Sequence, residues 1–153
     1  MITTQSAAEA PDETSVHHLL GAFQRFQGQN ERMTSQLILE HGVGAVELRA
    51  LLTLRVHGEM TLTRLGQLLC QIPSTITFLA DRLEKAGYLA RRPNPADRRS
   101  LLVSLTADGG EVVDDIWERY RVLFSTVVDR DDVGRLTRVF DDLSAAIPVE
   151  ATR

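Results

Sequence analysis

The sequence predicts a mainly α-helical fold with one small β-hairpin, on three observations. Apolar residues recur at intervals of three, four and seven through most of the chain, which is the spacing of amphipathic helices. Between residues 88 and 105 the spacing changes to two, which is typical of paired strands. Just before this pair, two short helical stripes lie on either side of a proline. A helix-turn-helix followed at once by a hairpin is a winged helix.

Length and composition restrict the class of protein. The chain has 153 residues, of which 43% are hydrophobic, 25% are charged and one is cysteine. A chain of this length suits one compact domain or two closely joined lobes, because about 150 residues bury roughly 68 to 70% of their unfolded surface. A lone cysteine cannot form an intramolecular disulfide, and no apolar run reaches the ~18 residues of a membrane span. We therefore expect a cytoplasmic protein with no membrane partner.

The first half of the chain predicts two helices after a flexible tail at residues 1–14. The first helix breaks at residues 41–44, where two glycines occur. Its apolar stripe comprises Val16, Leu19, Leu20, Phe23, Phe26, Met33 and Leu37. The second helix runs from about Ala45 to Val56, ends at Gly58 and is apolar around much of its circumference, so we expect it near the middle of a lobe. Its apolar residues are Val46, Leu48, Leu51, Leu52 and Val56.

The helix-turn-helix lies at residues 61–87. One stripe comprises Leu65, Leu68, Leu69 and Ile72, and the other comprises Ile76, Leu79, Ala80 and Leu83. Pro73 forces the break between them, since proline fits the first turn of a new helix, although Ser74 is an equally good cap. Gly87 ends the second helix with a left-handed residue, and Tyr88 follows as its apolar contact.

The predicted wing follows directly. Residues 88–92 and 101–105 form its strands, a turn at residues 93–97 opens the loop between them, and Arg91, Arg92, Arg98 and Arg99 make the hairpin basic. Thr106 then caps a long helix through about Val128, and Asp129 opens a last one. The apolar stripe of the last helix suits a coiled-coil-like seam and comprises Val133, Leu136, Phe140, Leu143 and Ile147.

Charge is distributed unevenly along the chain. Residues 1–60 hold four arginines and seven acids, residues 61–106 hold seven basic residues and three acids, and residues 107–153 hold six arginines and eleven acids. The differences are −3, +4 and −5, which sum to the net charge of −4. A basic middle between acidic flanks is the pattern expected if one face of the protein meets DNA.

The segment from Met60 to Gly110 resembles the MarR family of bacterial transcription regulators. The specific features are the framework of Thr61, Leu65 and Leu68, the run LEKAGY at residues 83–88, the basic pair at 91–92, the run DRR at 97–99, and Leu105 and Thr106 followed by Gly109. The resemblance implies a homodimer joined by the first and last helices, with two winged-helix lobes that bind a pseudo-palindromic duplex operator. A purely protein-binding winged helix stays open as an alternative.

Candidate DNA contacts lie on the second helix of the motif and on the wing. Ser74, Thr75, Thr77 and Arg82 face away from the apolar stripe and could read base edges, or they could form a plain solvated face. Phe78 stands where the family usually has a polar or basic residue, and it could either lie against a thymine methyl group or pack on the neighbouring wing or turn.

At the tip of the wing, the alternative for Arg98 and Arg99 is a flexible charged loop that only aids solubility. The resemblance implies that Arg99 enters the minor groove, with Asp97 bracing its guanidinium by a salt bridge.

The resemblance also implies an effector pocket where the first, second and fifth helices meet. Its candidate residues are His17, Phe23, Arg49, Trp117 and Tyr120. The alternative is that these aromatic residues belong to the core or to a dimer seam. A small aromatic or anionic molecule is the expected ligand.

Enzymatic, metal and redox functions find little support in the sequence. The chain lacks a glycine-rich phosphate loop, a nucleophile elbow and paired histidines at ligand spacing, so we predict no catalytic residues, no metal and no cofactor. Cys70 is predicted to be a buried structural thiol, whereas a thiol-based sensor would need it exposed and its thiolate stabilised. The predicted organisation is thus a tail at 1–14, a dimerisation region at 15–44 and 129–153, and a DNA-binding lobe at 45–128.

Overall fold

A computed structural model describes residues 12–147, in two compact units that divide between Gly42 and Val43. The first unit is helix α1, Glu13–His41, which ends at the left-handed Gly42. Asp12 caps it, with Oδ1 accepting a hydrogen bond from the Ser15 N–H at 2.8 Å. The helix therefore begins inside the predicted tail of residues 1–14, and the rest of that tail, residues 1–11, lies outside the described residues.

The second unit contains the other helices and a small sheet. In chain order they are α2 (Ala45–His57), β1 (Met60–Thr61), α3 (Leu62–Leu69), α4 (Pro73–Lys85), β2 (Leu89–Pro93), β3 (Leu101–Leu105), α5 (Ala107–Val127) and α6 (Val133–Ala146). The mainly helical fold class and the order of its predicted elements are confirmed.

Helix α2 lies at the centre of the core, as its apolar circumference predicts. Leu48, Ala50, Leu51 and Leu54 are buried on it, although Val56 near its end is 63% exposed, contrary to the predicted stripe. Helices α3, α4 and α5 and strand β3 pack against α2. The buried apolar residues of α3, α4, α5 and the three strands are Met60, Leu65, Leu69, Ile76, Leu79, Ala80, Leu83, Leu89, Val103, Val112, Val113 and Ile116.

The sheet has three antiparallel strands in the order β1-β3-β2. Strand β3 occupies the predicted residues, and β2 begins one residue later than expected, at Leu89 opposite Leu105. Strand β1 pairs Met60 with Val103 and Thr61 with Leu102. It was not predicted, because two residues are too few to display a period. Through this strand the wing is joined to the start of α3.

The turn between α3 and α4 decides between the two predicted helix starts and corrects two other predictions. Pro73 occupies the first position of α4 after the N-cap residue Ile72, so Ser74 is not the cap. Ile72 is 65% exposed and does not continue the stripe of α3. Cys70 is exposed rather than buried, because it ends α3 in the left-handed conformation, with φ of 53°, where the chain leaves the apolar face.

The end of α4 is joined to the start of α5 by backbone groups. Gly87 has φ of 83°, and the N–H groups of Gly87 and Tyr88 donate to the carbonyls of Glu84 and Leu83 at 3.0 and 2.9 Å. This is the predicted glycine termination. Thr106 then donates its N–H to the Tyr88 carbonyl at 3.2 Å and its hydroxyl to the Gly87 carbonyl at 2.5 Å. The same hydroxyl accepts from the Gly109 N–H, which confirms the predicted cap of α5.

The last helix begins later than predicted. A short 3₁₀ turn, Arg130–Asp132, precedes α6, and the Asp129 side chain makes no capping bond. No residue of α6 is buried, and residues 148–153 of the predicted dimerisation region lie outside the described part of the chain. None of the described helices is both long and apolar enough to cross a membrane.

Candidate nucleic-acid interface

The outward face of α4 carries the predicted polar set. Ser74, Thr77 and Phe78 are exposed and Thr75 is half-buried, while the apolar stripe of the helix points into the core. The Thr77 hydroxyl donates to the Pro73 carbonyl at 2.9 Å, which fixes its rotamer along the helix. Phe78 is 62% exposed, so most of its surface is covered neither by the wing nor by the turn. The helix thus presents two hydroxyls and an aromatic ring to solvent.

Arg82 differs from the rest of this face because it forms an ion pair with an acid on α2. Its Nε lies 3.0 Å from Oε1 of Glu47 on α2, a carboxylate whose side chain is only 8% exposed. The other carboxylate oxygen of Glu47 accepts from the Gly44 N–H at 2.6 Å. Both oxygens of this buried acid are therefore satisfied, as burial of a charge requires. The Arg82 guanidinium also stands over the Phe78 ring, 5.9 Å from its centroid.

At the base of the wing, two of the four hairpin arginines form ion pairs inside the lobe. Arg91 on β2 lies 2.7 Å from Asp81 and 3.5 Å from Glu84, both on α4. Arg92 makes a bidentate ion pair with Glu59, which precedes β1. The Glu59 carboxylate raises the pKa of Arg92 through these hydrogen bonds. These two arginines therefore attach the wing to α4 and to β1.

The tip of the wing is a loop closed by hydrogen bonds, and its two arginines are exposed. Asn94 closes it, with its N–H donating to the Ser100 carbonyl at 3.1 Å and its side-chain amide donating to the Ser100 hydroxyl at 2.9 Å. Arg98 and Arg99 are exposed and form no ion pair within residues 12–147.

The bracing geometry at the tip differs from the prediction. Asp97 Oδ1 accepts from the backbone N–H of Arg99 at 3.0 Å, rather than from its guanidinium. The short Asp97 side chain reaches its own backbone two residues on, as is typical of an Asx turn. Asp97 thus shapes the loop through the Arg99 backbone and forms no ion pair with the Arg99 guanidinium.

The predicted pocket residues are only partly brought together. Trp117 and Tyr120 on α5 line an open apolar cavity of about 370 Å³ with Leu52, Arg121 and Phe124. Arg121 makes a bidentate ion pair with Glu118, which lowers the pKa of that acid and raises the pKa of the arginine. Arg49 is exposed on α2 and does not line this cavity.

The two predicted pocket residues on α1 are exposed. Phe23 is 49% exposed, and Nδ1 of His17 lies 2.8 Å from the carbonyl oxygen of Glu13. Among the described residues, no group of three or more His, Cys, Asp or Glu side chains could hold a metal ion.

Two acids that matter at this interface were missed by the sequence analysis. Glu47 stands as a single acid within an apolar helix, three residues after Gly44, and this spacing is the signal of an N-terminal capping carboxylate. Asp81 had no such signal, because its partner Arg91 lies across the turn at Gly87. Ion pairs between elements depend on packing that the sequence alone does not display.

The helix-turn-helix, its wing and the outward polar face define a winged-helix protein. Residues 45–101 match the model of the MarR family. The repressor MdtR of Bacillus subtilis is 35% identical over 92 residues, which cover 60% of this chain and 56% of MdtR. The chain spans about half to two-thirds of the length of the curated relatives it matches first.

Solved structures agree with the fold. A MarR family protein from Bacillus stearothermophilus superposes with a TM-score of 0.71 at 20% identity, over 89% of this chain and 97% of that one. The Staphylococcus aureus MepR–DNA complex superposes with a TM-score of 0.61 at 18% identity, over 80% and 98% of the two chains. The chain therefore has the winged-helix fold of these structures, and its residues 45–101 are similar to the MarR family.

Proposed function

We propose that this chain is a transcriptional regulator, acting as a repressor, that binds a pseudo-palindromic duplex operator as a homodimer and performs no catalysis. The observation that carries the proposal is the joint exposure of the α4 face and of Arg98 and Arg99 on the same lobe. A helix of hydroxyl and aromatic groups suits the edges of bases in the major groove. Two arginines without internal partners suit phosphates or a narrow minor groove.

The comparisons support the parts of this proposal separately. MepR was solved in complex with DNA, and MdtR is named a repressor. The operator of this chain cannot be inferred from either protein. It must be found directly, by selection of bound sequences from a random duplex pool.

We propose the dimer on the basis of the exposed apolar surface of α6. Three residues of α6 are large, apolar and at least half exposed, and so is Ile147, which directly follows the helix. The three are Val133, Phe140 and Leu143. An apolar stripe of this kind on a helix needs a covering surface, and a two-fold copy supplies a matching one. We propose that α6 pairs with a second copy of the chain and that the exposed apolar residues of α1 are also covered in the dimer.

The salt dependence of binding tests the interface. If Arg98 and Arg99 contact phosphates, the logarithm of the affinity should fall with the logarithm of salt concentration, by about 0.9 for each phosphate neutralised. Fluorescence anisotropy on the selected operator between low and high salt measures this slope. The absence of any DNA affinity at low salt would instead favour the protein-interaction module.

Half-site spacing tests the symmetry. Two lobes related by a two-fold axis contact half-sites separated by roughly 10 base pairs or a multiple of it. Insertion of about five base pairs places the half-sites on opposite faces of the duplex and should abolish tight binding. Insertion of a full turn is the control. Equal affinity for both spacings would contradict a rigid two-fold dimer.

We further propose that a small aromatic anion modulates the protein at the cavity beside α5. Trp117, Tyr120 and Phe124 supply aromatic walls, and Arg121, which is paired with Glu118, supplies a guanidinium that an anion could share. Trp117 is the only tryptophan of the chain, so its fluorescence should change when benzoate is titrated. Arg121→Gln should weaken the response. An unchanged spectrum up to millimolar benzoate would remove aromatic carboxylates from consideration.

A redox role for Cys70 is the second alternative. Its exposure meets one of the two conditions for a thiol sensor. The test measures operator affinity before and after peroxide treatment, with Cys70→Ser as the control. A redox role predicts that peroxide changes the affinity of the wild-type chain and not that of the variant.

A further inference from the structure

We infer that Arg82 is a positioning residue, and that together with Glu47 it holds the Phe78 ring to read the methyl group of a thymine. The inference rests on the proposed DNA-binding function and adds to it the chemical group that is recognised. It also reassigns Arg82, which the sequence pattern placed among the direct DNA contacts.

Arg82 is anchored by the buried carboxylate of Glu47. Glu47 is 6% exposed, and its two oxygens are used by the Gly44 N–H at 2.6 Å and by Arg82 Nε at 3.0 Å. A carboxylate this deeply buried retains its charge at low cost only when such partners are in place. Because Nε is engaged, the plane of the guanidinium is held against α2, although more than half of the Arg82 side chain is exposed.

The anchored Arg82 stands over the ring of Phe78. Phe78 lies one helical turn before Arg82, and the guanidinium carbon stands 5.9 Å from the ring centroid. Residues four apart on a helix are neighbours on its surface, so the arginine covers one side of the ring and restricts its rotation. The other side is open, since the residue is 62% exposed.

The chemistry of the Phe78 ring determines which base edge it can contact. An exposed ring on the outward face of a recognition helix has no hydrogen-bonding capacity, so it cannot read donors or acceptors. Among major-groove edges, only thymine presents a methyl group, and apolar side chains recognise it by contact. The arrangement therefore selects thymine over a base without that methyl.

The test compares thymine with deoxyuridine in the selected operator, because the two differ by the methyl alone. We expect replacement at one symmetric position to weaken wild-type binding by about fourfold per half-site, from the burial of one methyl group. Phe78→Ala should bind both operators equally. Arg82→Gln and Glu47→Gln should lose most of the discrimination, which a merely stabilising role would not alter.

Two controls keep the inference falsifiable. Arg55→Gln removes another ion pair of the same lobe, with Asp114 at 2.6 Å, and should keep the full thymine preference. The double variant Glu47→Gln/Arg82→Gln avoids an unpaired buried charge, so it tests discrimination even where a single variant folds poorly. Full discrimination in a folded double variant would overturn the role of Arg82.

The outcomes also separate this inference from the proposed function. Tight operator binding with no sensitivity to uracil at any position would overturn the thymine reading and leave the DNA-binding proposal standing. Failure of the wild-type chain to bind any duplex would overturn both.

Discussion

The winged-helix lobe and the terminal helices differ in where their apolar residues lie. From α2 to α4, most residues of the predicted stripes are buried, and Leu48, Leu51 and Leu65 are less than 2% exposed, although Val56 and Ile72 are exposed. On α1 only Leu37 is buried, and on α6 no residue is. The same periodicity thus closes a core in one region and leaves an open surface in the other. A hydrophobic pattern identifies the face of a helix but not what covers it.

The largest expected effect on folding comes from crowding the lobe where α5 begins. A Cβ at Gly109 would lie 2.0 Å from the carbonyl oxygen of Tyr88, a backbone atom that cannot move without shifting the end of α4. We expect Gly109→Ala to lower the free energy of unfolding by at least about 2 kcal/mol, in the range of overpacked sites.

The next residue supplies a matched control for this change. A Cβ at Gly110 would meet no atom within 4 Å, so Gly110→Ala should be neutral or stabilise by up to about 1 kcal/mol through helix propensity. Urea denaturation measures both variants. Equal stability of the two would show that the junction is looser than described.

The second effect concerns the terminal region. The double variant Phe140→Glu/Leu143→Glu changes residues that are 50% and 56% exposed in the single chain, so it should leave the lobe folded. If these residues are covered by a second copy, the dimer should weaken by at least about 100-fold, since each buried side chain contributes roughly 1.5 to 3 kcal/mol. Sedimentation velocity measures the change.

Thr137→Glu on the same helix is the control and should keep the dimer, because Thr137 lies outside the apolar stripe. Unchanged sedimentation of the double variant would mean that the exposed face is not an interface between copies.

A smaller effect distinguishes the helix from the wing within the lobe. Thr77→Ala should weaken binding to the best operator by on the order of 1 to 3 kcal/mol. It should also relax the preference for a particular base at one or two symmetric positions. Arg99→Ala should weaken binding evenly across sequences and reduce the salt slope by about one contact per half-site. Anisotropy on operator and random duplex measures both. If Arg99→Ala binds both duplexes as tightly as the parent, the wing does not contact DNA.

The smallest effect lies at the start of α1. The Ser15 N–H and hydroxyl lower the pKa of Asp12 below its ordinary value of 3.8. A depressed folded pKa contributes stability that is present above 3.8 and is lost as pH falls through the lowered value. A carboxyl-carbon NMR titration should show this midpoint, and Ser15→Ala should move it upwards. A midpoint at the ordinary value in the wild-type chain would contradict the cap.

Most elements of the lobe were predictable because local signals agree with the final packing. Pro73, Gly87 and Thr106 each punctuate a helix by their own backbone chemistry, and the structure places all three where the sequence indicates. Strand β1 and the exposure of Cys70 were not predictable, since both depend on how the chain turns rather than on a period.

The candidate interface shows the same division. The outward face of α4 follows from helical geometry, so Ser74, Thr77 and Phe78 were identified from spacing. The partners of Arg82, Arg91 and Arg92 were not, because each ion pair joins two elements that lie apart in sequence. Counting arginines therefore overestimates the charge that the hairpin offers to a ligand.

The shared hydrogen bonds at Tyr88 and Thr106 bear on how the lobe opens. The last turn of α4 and the first turn of α5 both depend on the peptide groups between Gly87 and Tyr88. Neither helix end can fray without releasing the other, so their amide protons should exchange with solvent through one common opening event.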